Sequence, residues 1–340
     1  MYVDLGLMIT EKCDFHCGHC MFSCCEEGKD MPVEIMERAR EVMFTDEELM
    51  DGMYGASVYG GEPFLNMELF GKAFELFYTD DVPFFISSNG SFMADPVRRE
   101  AVFDIMRRMK GAWEASLTSI RISNTEHHDW CRSEEQDAAL KQLQRLISDP
   151  ESWYEYWRDN HDKSLTEGLE EGSEEYYDAL YENAPENPFQ RDDGDVFIYI
   201  DKRQRREEFN PSGRAVHGAD THDKPCYCVI TKNTFDPFKD EEDERLSLNV
   251  KPDGQVSICC KCDSATVGNV MEPNFTPRLA VRRIKRLRHK LRAEYQKEMG
   301  SEISNDTRMC DLCEYCINRK DDYAKEGEKA WKKPKAQPAT

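Results

Sequence analysis

Three cysteines near the amino terminus, in Cys13-Asp-Phe-His-Cys17-Gly-His-Cys20, have the spacing C-x3-C-x2-C. Closely spaced thiolates are the usual ligands of iron–sulfur cubes. A [4Fe–4S] cluster held by three of them keeps one iron open to a cofactor or substrate; a fourth thiolate would close it. The alternative is a zinc site or a set of free thiols. Structural zinc takes four ligands, commonly in CxxC pairs, and this run offers three. The stretch before it, Tyr2-Val-Asp-Leu-Gly-Leu-Met-Ile9, is apolar and reads as a first β-strand. The cysteines then occupy the loop at that strand's carboxyl end, where barrel-type α/β proteins place their chemistry.

Three later segments have the same strand-then-polar-turn form: Val58-Tyr-Gly60-Gly61-Glu62-Pro63, Phe84-Phe-Ile-Ser-Ser88-Asn89-Gly90, and Ile120-Arg-Ile-Ser123. Glycines without a Cβ let a backbone approach a ligand closely. Taken in order between residues 13 and 128, the four segments resemble the radical S-adenosylmethionine (SAM) superfamily. The resemblance implies an α/β fold, a partial (β/α)6 TIM-type barrel with a small C-terminal α+β iron–sulfur extension. It implies a [4Fe–4S] cluster on Cys13, Cys17 and Cys20 with SAM on the open iron. Gly60, Gly61 and Glu62 would hold the methionine part of SAM, with Ser88, Asn89 and Ser123 completing the cofactor site. Thr125 stands where the family often has aspartate. Reductive cleavage of SAM to a 5′-deoxyadenosyl radical is the implied chemistry, and a flavodoxin or ferredoxin the implied low-potential electron donor.

A second cysteine group lies in the C-terminal half. Leu246 to Val250, a Pro-Asp-Gly254 turn, and Gln255 to Cys259 read as a hairpin. Cys226 and Cys228 precede it, Cys259 and Cys260 end it, and Cys310, Cys313 and Cys316 follow a helical stretch. The arrangement resembles the SPASM and twitch auxiliary-cluster extensions of radical SAM enzymes. It implies a second iron–sulfur cluster on Cys259, Cys310 and Cys313 with Cys226 or Cys228, and Cys316 as an alternate ligand. Structural zinc would use the same residues, since sulfur ligation alone does not separate the metals. Two features resemble peptide-modifying members, the peptide epimerases among them: the extension Cys20-Met-Phe-Ser-Cys24 and the adjacent Cys259-Cys260. The implied substrate is a peptide, altered by epimerisation, crosslinking or oxidation, with Cys260 as a candidate hydrogen-atom donor. Otherwise Cys260 is a neighbour of the ligand or the ligand itself. The rival readings are a twitch-type dehydrogenase of a small molecule and a non-enzymatic iron–sulfur or zinc protein. The winged helix that many relatives carry in front is expected to be absent, leaving leader binding to another protein or to this domain's surface.

Strands alternate with helices at Pro32–Met43, Ala56–Tyr59, Met67–Tyr78, Pro83–Ser88, Pro96–Arg108, Ser119–Ser123 and Glu134–Ile147, which calls for a parallel sheet. A fifth strand is Val196–Ile200, and a sixth is expected between Pro150 and Asp195. Between Thr166 and Asp195 there are eleven acidic residues against one basic, so this stretch reads as a solvated helical insertion. The insertion is expected over about 150–195, and the aromatics that crowd its start, Trp153, Tyr154, Tyr156 and Trp157, read as helix packing. The expected domains are a barrel over 1–215, an auxiliary-cluster domain over 216–323 and a mobile tail over 324–340.

With 340 residues and a net charge of −22, the chain is acidic and globular, which argues against nucleic acid as its main partner. A basic segment, Arg278 to Lys297, reads as an amphipathic helix or a docking site for an acidic partner. No run approaches the roughly 20 apolar residues of a membrane span, and no secretory signal is expected, since Met-Tyr-Val-Asp-Leu has no basic n-region. Fourteen cysteines in a chain expected to be cytoplasmic suggest metal or redox use more than disulfides.

Overall fold

The computed structural model describes residues 2–17, 20, 22–44, 53–79, 82–109, 118–124, 128, 131–149, 151–161, 163–185, 187–189, 198–201, 245–257, 266–283, 286 and 297. Its strands are β1 (Tyr2–Thr10), β2 (Met53–Gly60), β3 (Phe84–Ser88), β4 (Ser119–Ser123), β5 (Ile198–Asp201), β6 (Arg245–Val250), β7 (Gln255–Ser257) and β8 (Thr266–Asn269). The helices are α1 (Val33–Met43), α2 (Met67–Phe77), α3 (Pro96–Met109), α4 (Glu134–Ser148), α5 (Ser152–Asn160) and α6 (Glu174–Asn183). All strands join one sheet in the order β5-β4-β3-β2-β1-β6-β7-β8, parallel from β5 to β6.

From β1 to β5 the chain steps across the sheet in a single direction. Right-handed crossovers taken always the same way put every connecting helix on one face. This is the arrangement of a partial TIM-type barrel and not of a doubly wound sheet. Side-chain alternation agrees with it. Leu5, Leu7, Val58, Phe84, Ile86, Ile120, Ile122 and Ile198 are buried in one core with Met36, Phe70, Phe74, Phe103 and Leu143 of the helices. The opposite positions of the same strands include Asp4, Gly6, Ser57, Phe85, Ser87, Ser119 and Arg121, a mainly polar set on the concave face. Period-two alternation within each strand thus decides which face packs and which binds.

The expected sixth strand between Pro150 and Asp195 is not found among the described residues there. They form α5, a short 3-10 turn at Lys163–Thr166, and α6. Aromatic spacing explains the helix: Trp153 and Tyr156, three apart, share one buried face. Trp153 packs its ring 5.7 Å from Phe103 and 5.8 Å from Phe189, and its indole N–H donates to the Pro185 carbonyl at 2.9 Å. The sixth parallel strand is β6, and it lies beyond β1, at the side opposite β5. It pairs with β1 from Tyr2↔Arg245 to Leu7↔Val250.

The Pro-Asp-Gly hairpin forms as its residues require. Gly254 takes φ +80°, a left-handed conformation suited to glycine. The Lys251 amide donates to the Gln255 carbonyl at 2.9 Å and closes the turn. The basic segment begins as a helix over 277–283, with Ala280 and Val281 buried. Among the described residues no helix is long and apolar enough to cross a membrane.

Candidate functional site

The cysteine loop is a folded-back ribbon and not a free excursion. Its outgoing and returning limbs pair through backbone bonds: Glu11 N to Lys29 O at 2.8 Å, Cys25 N to Glu11 O at 3.2 Å, Cys13 N to Cys25 O at 3.0 Å. Asp30 locks its base, accepting from Thr10 Oγ1 at 2.7 Å, Lys12 Nζ at 2.8 Å and Asn66 Nδ2 at 3.2 Å. Partial burial opposes ionisation of Asp30, but those donors outweigh it and hold the carboxyl below the usual carboxylate range.

The Gly60-Gly61-Glu62 segment is stitched onto this ribbon. Gly61 N donates to Thr10 O at 2.9 Å and Glu62 N to Lys12 O at 2.8 Å. A Cβ on Gly60, which has φ +151°, would overlap the Thr10 carbonyl, and one on Gly61 would overlap that of Lys12. The two glycines are therefore explained by contact between backbones, before any ligand is considered.

Glu62 is fully buried. One carboxylate oxygen accepts from Phe64 N at 3.1 Å and the other from Asn89 N at 2.6 Å, while Ser88 Oγ reaches both at 2.9 and 3.0 Å. Desolvation pushes its pKa up to about 7, against the hydrogen bonds from Asn89, Phe64 and Ser88. Asn89 passes the connection on. Its amide nitrogen donates to Asp14 Oδ1 at 2.8 Å and lies 3.8 Å from Cys13 Sγ. Gly90 beside it takes φ +82°, and Asn89 Oδ1 accepts from Ser91 N at 2.8 Å. Cys13, Glu62, Ser88 and Asn89, read separately from the sequence, thus form one hydrogen-bonded unit.

Cys13, Cys17 and Cys24 are buried with Met8 and Phe15, and Cys20 and Cys131 pack against them. Two thiol pairs are within hydrogen-bonding reach, Cys17 with Cys131 and Cys20 with Cys24. Burial pushes the Cys13 thiol up to about 12, and burial with neighbouring Cys131 raises Cys17 as well. Cys24 is raised chiefly by its bond to Cys20. Such thiols stay neutral unless a cationic centre compensates the thiolate charge, as a metal cluster does. Among the described residues no three Cys, His, Asp or Glu side chains close on a single-ion position. What they offer is a set of thiols gathered in one apolar pocket, donors of the kind an iron–sulfur cluster takes.

Ser123 ends β4 in register with Asp201, and Arg132 holds that end by donating to the Ser123 carbonyl at 3.1 Å and to Asn124 Oδ1 at 2.7 Å. Asp14 and Cys131 were not singled out by sequence. Asp14 sits inside the cysteine motif, where an acidic residue between ligands is a visible signal; Cys131 reaches the site only through the turn after β4. Cys226, Cys228, Cys259, Cys260, Cys310, Cys313 and Cys316 lie outside the described residues, as does the tail.

No family model and no curated protein matches the sequence. Among solved structures, the chain is similar to anSMEcpe with bound AdoMet and the Cp18Cys peptide: 13% identity and TM-score 0.41, covering 96% of this chain and 99% of that one. The same protein with AdoMet alone gives 14% identity and TM-score 0.41, covering 95% and 99%. Streptococcus suis SuiB bound to S-adenosylmethionine gives 12% identity and TM-score 0.34, covering 85% and 68%.

Proposed function

We propose that this chain is a radical SAM enzyme that modifies a peptide. The observation that supports it best is the hydrogen-bonded unit joining the Cys13 loop to Glu62, Ser88 and Asn89 at the carboxyl ends of β1, β2 and β3. Cys13, Cys17 and Cys20 would hold the [4Fe–4S] cluster. When bound, cluster and SAM supply an electron and a 5′-deoxyadenosyl radical able to take hydrogen from an unactivated C–H bond.

The protein's own part is positioning. The stitched glycines fix the Gly61–Glu62 backbone against the cysteine loop, so a ligand amino group would meet preset acceptors. A carboxyl with a pKa of about 7 loses its proton readily beside an ammonium, which lowers that pKa. Asn89 braces Asp14 and Cys13, and the apolar wall of Met8 and Phe15 keeps water from the thiols.

Peptide chemistry is supported by the resemblance of the Cys20 to Cys24 extension, whose last thiol is buried in the same pocket. A second cluster on Cys259, Cys310 and Cys313 with Cys226 or Cys228, Cys316 being the alternate, and hydrogen return from Cys260 complete the proposal. Anaerobically reconstituted, reduced protein should form 5′-deoxyadenosine. The triple Cys13, Cys17, Cys20→Ala variant should lose about four irons and that activity; 5′-deoxyadenosine from the variant would overturn the reading. Stoichiometric zinc beside only four irons would replace the second cluster by a structural metal.

A further inference from the structure

Beneath the cofactor site the concave face carries a cavity of about 280 Å³, lined by Asp4, Ser57, Ser87, Ser119, Arg121 and Asn249 among others. Its depth is set by strand geometry. Ser87 pairs with Arg121, which lies two residues before Ser123 at the end of β4, and Ser57 pairs with Phe85, two residues lower. At about 3.3 Å per residue Arg121 stands roughly 7 Å below the end of its strand and Ser57 roughly 7 Å lower still. A group lodged there lies directly under whatever the strand ends hold.

The cavity is a built feature. Gly6 and Gly55 let its lining side chains settle onto the strands: a Cβ at Gly6 would overlap Asn249 Oδ1 and come within 2.9 Å of the Tyr59 ring, and one at Gly55 would lie 2.6 Å from the Phe85 ring. Asn249 is held in place, accepting from the Tyr59 hydroxyl at 2.8 Å and donating to the Ser257 carbonyl at 3.3 Å. Strand β6 therefore supplies one wall, and its pairing with β1 is what brings Asn249 there. The volume, near the lower end of ligand pockets (about 300–1,000 Å³), admits one side chain or one small molecule.

Charge decides which. Arg121, exposed on the concave face, projects from β4, and Asp4 from β1. Three strand spacings separate the two across the sheet and four residues along it, since the pairing puts Arg121 level with Met8, so their backbones are about 20 Å apart on the sheet, with serine hydroxyls on the strands between. In a chain of net charge −22, an anion enters against the general field, so a guanidinium inside the barrel has a discriminating role. Its planar fork matches a carboxylate with two parallel hydrogen bonds.

Resting on the peptide reading above, we propose that Arg121 is a substrate-binding residue that receives a carboxylate of the peptide. The residue presented to the cofactor is thus acidic, or is the peptide's C-terminal residue.

The test uses full-length protein, anaerobically reconstituted and loaded with SAM, and measures binding by saturation-transfer NMR. The probes are N-acetylglutamate amide (side-chain carboxylate), N-acetylglutamine (terminal carboxylate) and N-acetylglutamine amide (neither). At least one acidic probe should bind more than about tenfold tighter than the neutral one, and which one does so identifies the source of the carboxylate. Arg121→Gln should remove the preference and Arg121→Lys should restore part of it. Equal binding of all three by wild-type protein overturns the assignment even if no variant folds. A preference that survives Arg121→Gln does so too. Wild-type protein that makes no 5′-deoxyadenosine overturns the radical SAM reading instead, so the two failures are told apart.

Discussion

Replacing Glu62 by Gln tests whether its carboxyl is tuned by burial. Its pKa is raised from 4.5 to about 7 chiefly by desolvation. A folded-state value above the unfolded one means that the native state holds its proton more tightly. Stability from this group is then complete below pH 4.5 and is lost as pH rises through about 7. At 1.36 kcal/mol per pH unit, the loss is about 3 kcal/mol. Glutamine does not titrate, so the variant lacks this slope. It is not an isostere, however. Phe64 N and Asn89 N each point at a different carboxyl oxygen. A protonated carboxyl still accepts at its hydroxyl oxygen, but an amide NH2 accepts nothing, so one backbone N–H loses its partner at about 1–3 kcal/mol. Apoprotein unfolding in urea under reductant, from pH 5 to pH 8, measures both effects. Glu62→Gln should be the less stable protein at pH 5, and the gap should close or reverse by pH 8. A gap constant across that range would refute the titration of Glu62.

Three further outcomes follow from the same geometry. Gly61→Ala drives a Cβ into the Lys12 carbonyl, and should cost about 3 kcal/mol in apoprotein melts and prevent cluster assembly; a variant that binds iron normally would show that the two loops are not stitched. Asp30→Asn removes the charge that anchors Lys12 at the base of the cysteine loop and, the pair being partly exposed, should cost about 1 kcal/mol. It should also speed iron loss to a chelator, and wild-type protein should lose the same anchor as pH falls through the depressed Asp30 value. Cys131→Ala should keep its full iron and sulfide content, because the loop itself supplies three thiolates; a drop in iron would make Cys131 a ligand.

The elements that position the site were legible because each carries a strong local signal. The strand at Ser119–Ser123 and the helix at Met67–Phe77 coincide with their sequence expectation to within a residue. Capping explains part of that sharpness: Asn66 Oδ1 accepts from Leu69 N at 3.1 Å, and Ser133 forms a capping box with Gln136. The order of strands was less legible. β6 reads locally as half of a hairpin, which it is, but nothing in Arg245–Val250 names β1 as its other neighbour. Pairing between strands some 240 residues apart leaves no periodic trace. Between Pro150 and Asp195, where a sixth strand was expected, the described residues form the helices α5 and α6 instead, because the aromatics of α5 recur at helical spacing. Glu62, Ser88 and Asn89 could be named from their motifs, yet their mutual hydrogen bonds could not.

The two glycines show how far a motif can be explained without its ligand. Gly60 and Gly61 lie against the carbonyls of Thr10 and Lys12, so the turn after β2 packs backbone to backbone on the turn after β1. Glu62 follows at once and is buried, and burial is tolerable only because Phe64, Ser88 and Asn89 supply donors. Asn89 in turn faces Asp14 and Cys13. Each turn is thus completed by its neighbour, and a ligand held by one is held at a fixed offset from the others. That fixed offset is what positioning a reactive fragment over a single C–H bond demands. The polar layer below, from Asp4 to Arg121, belongs to the same strands and shares their rigidity. Loosening the Gly61 contact should therefore disturb cluster binding and carboxylate binding together, whereas Arg121→Gln should disturb only the second.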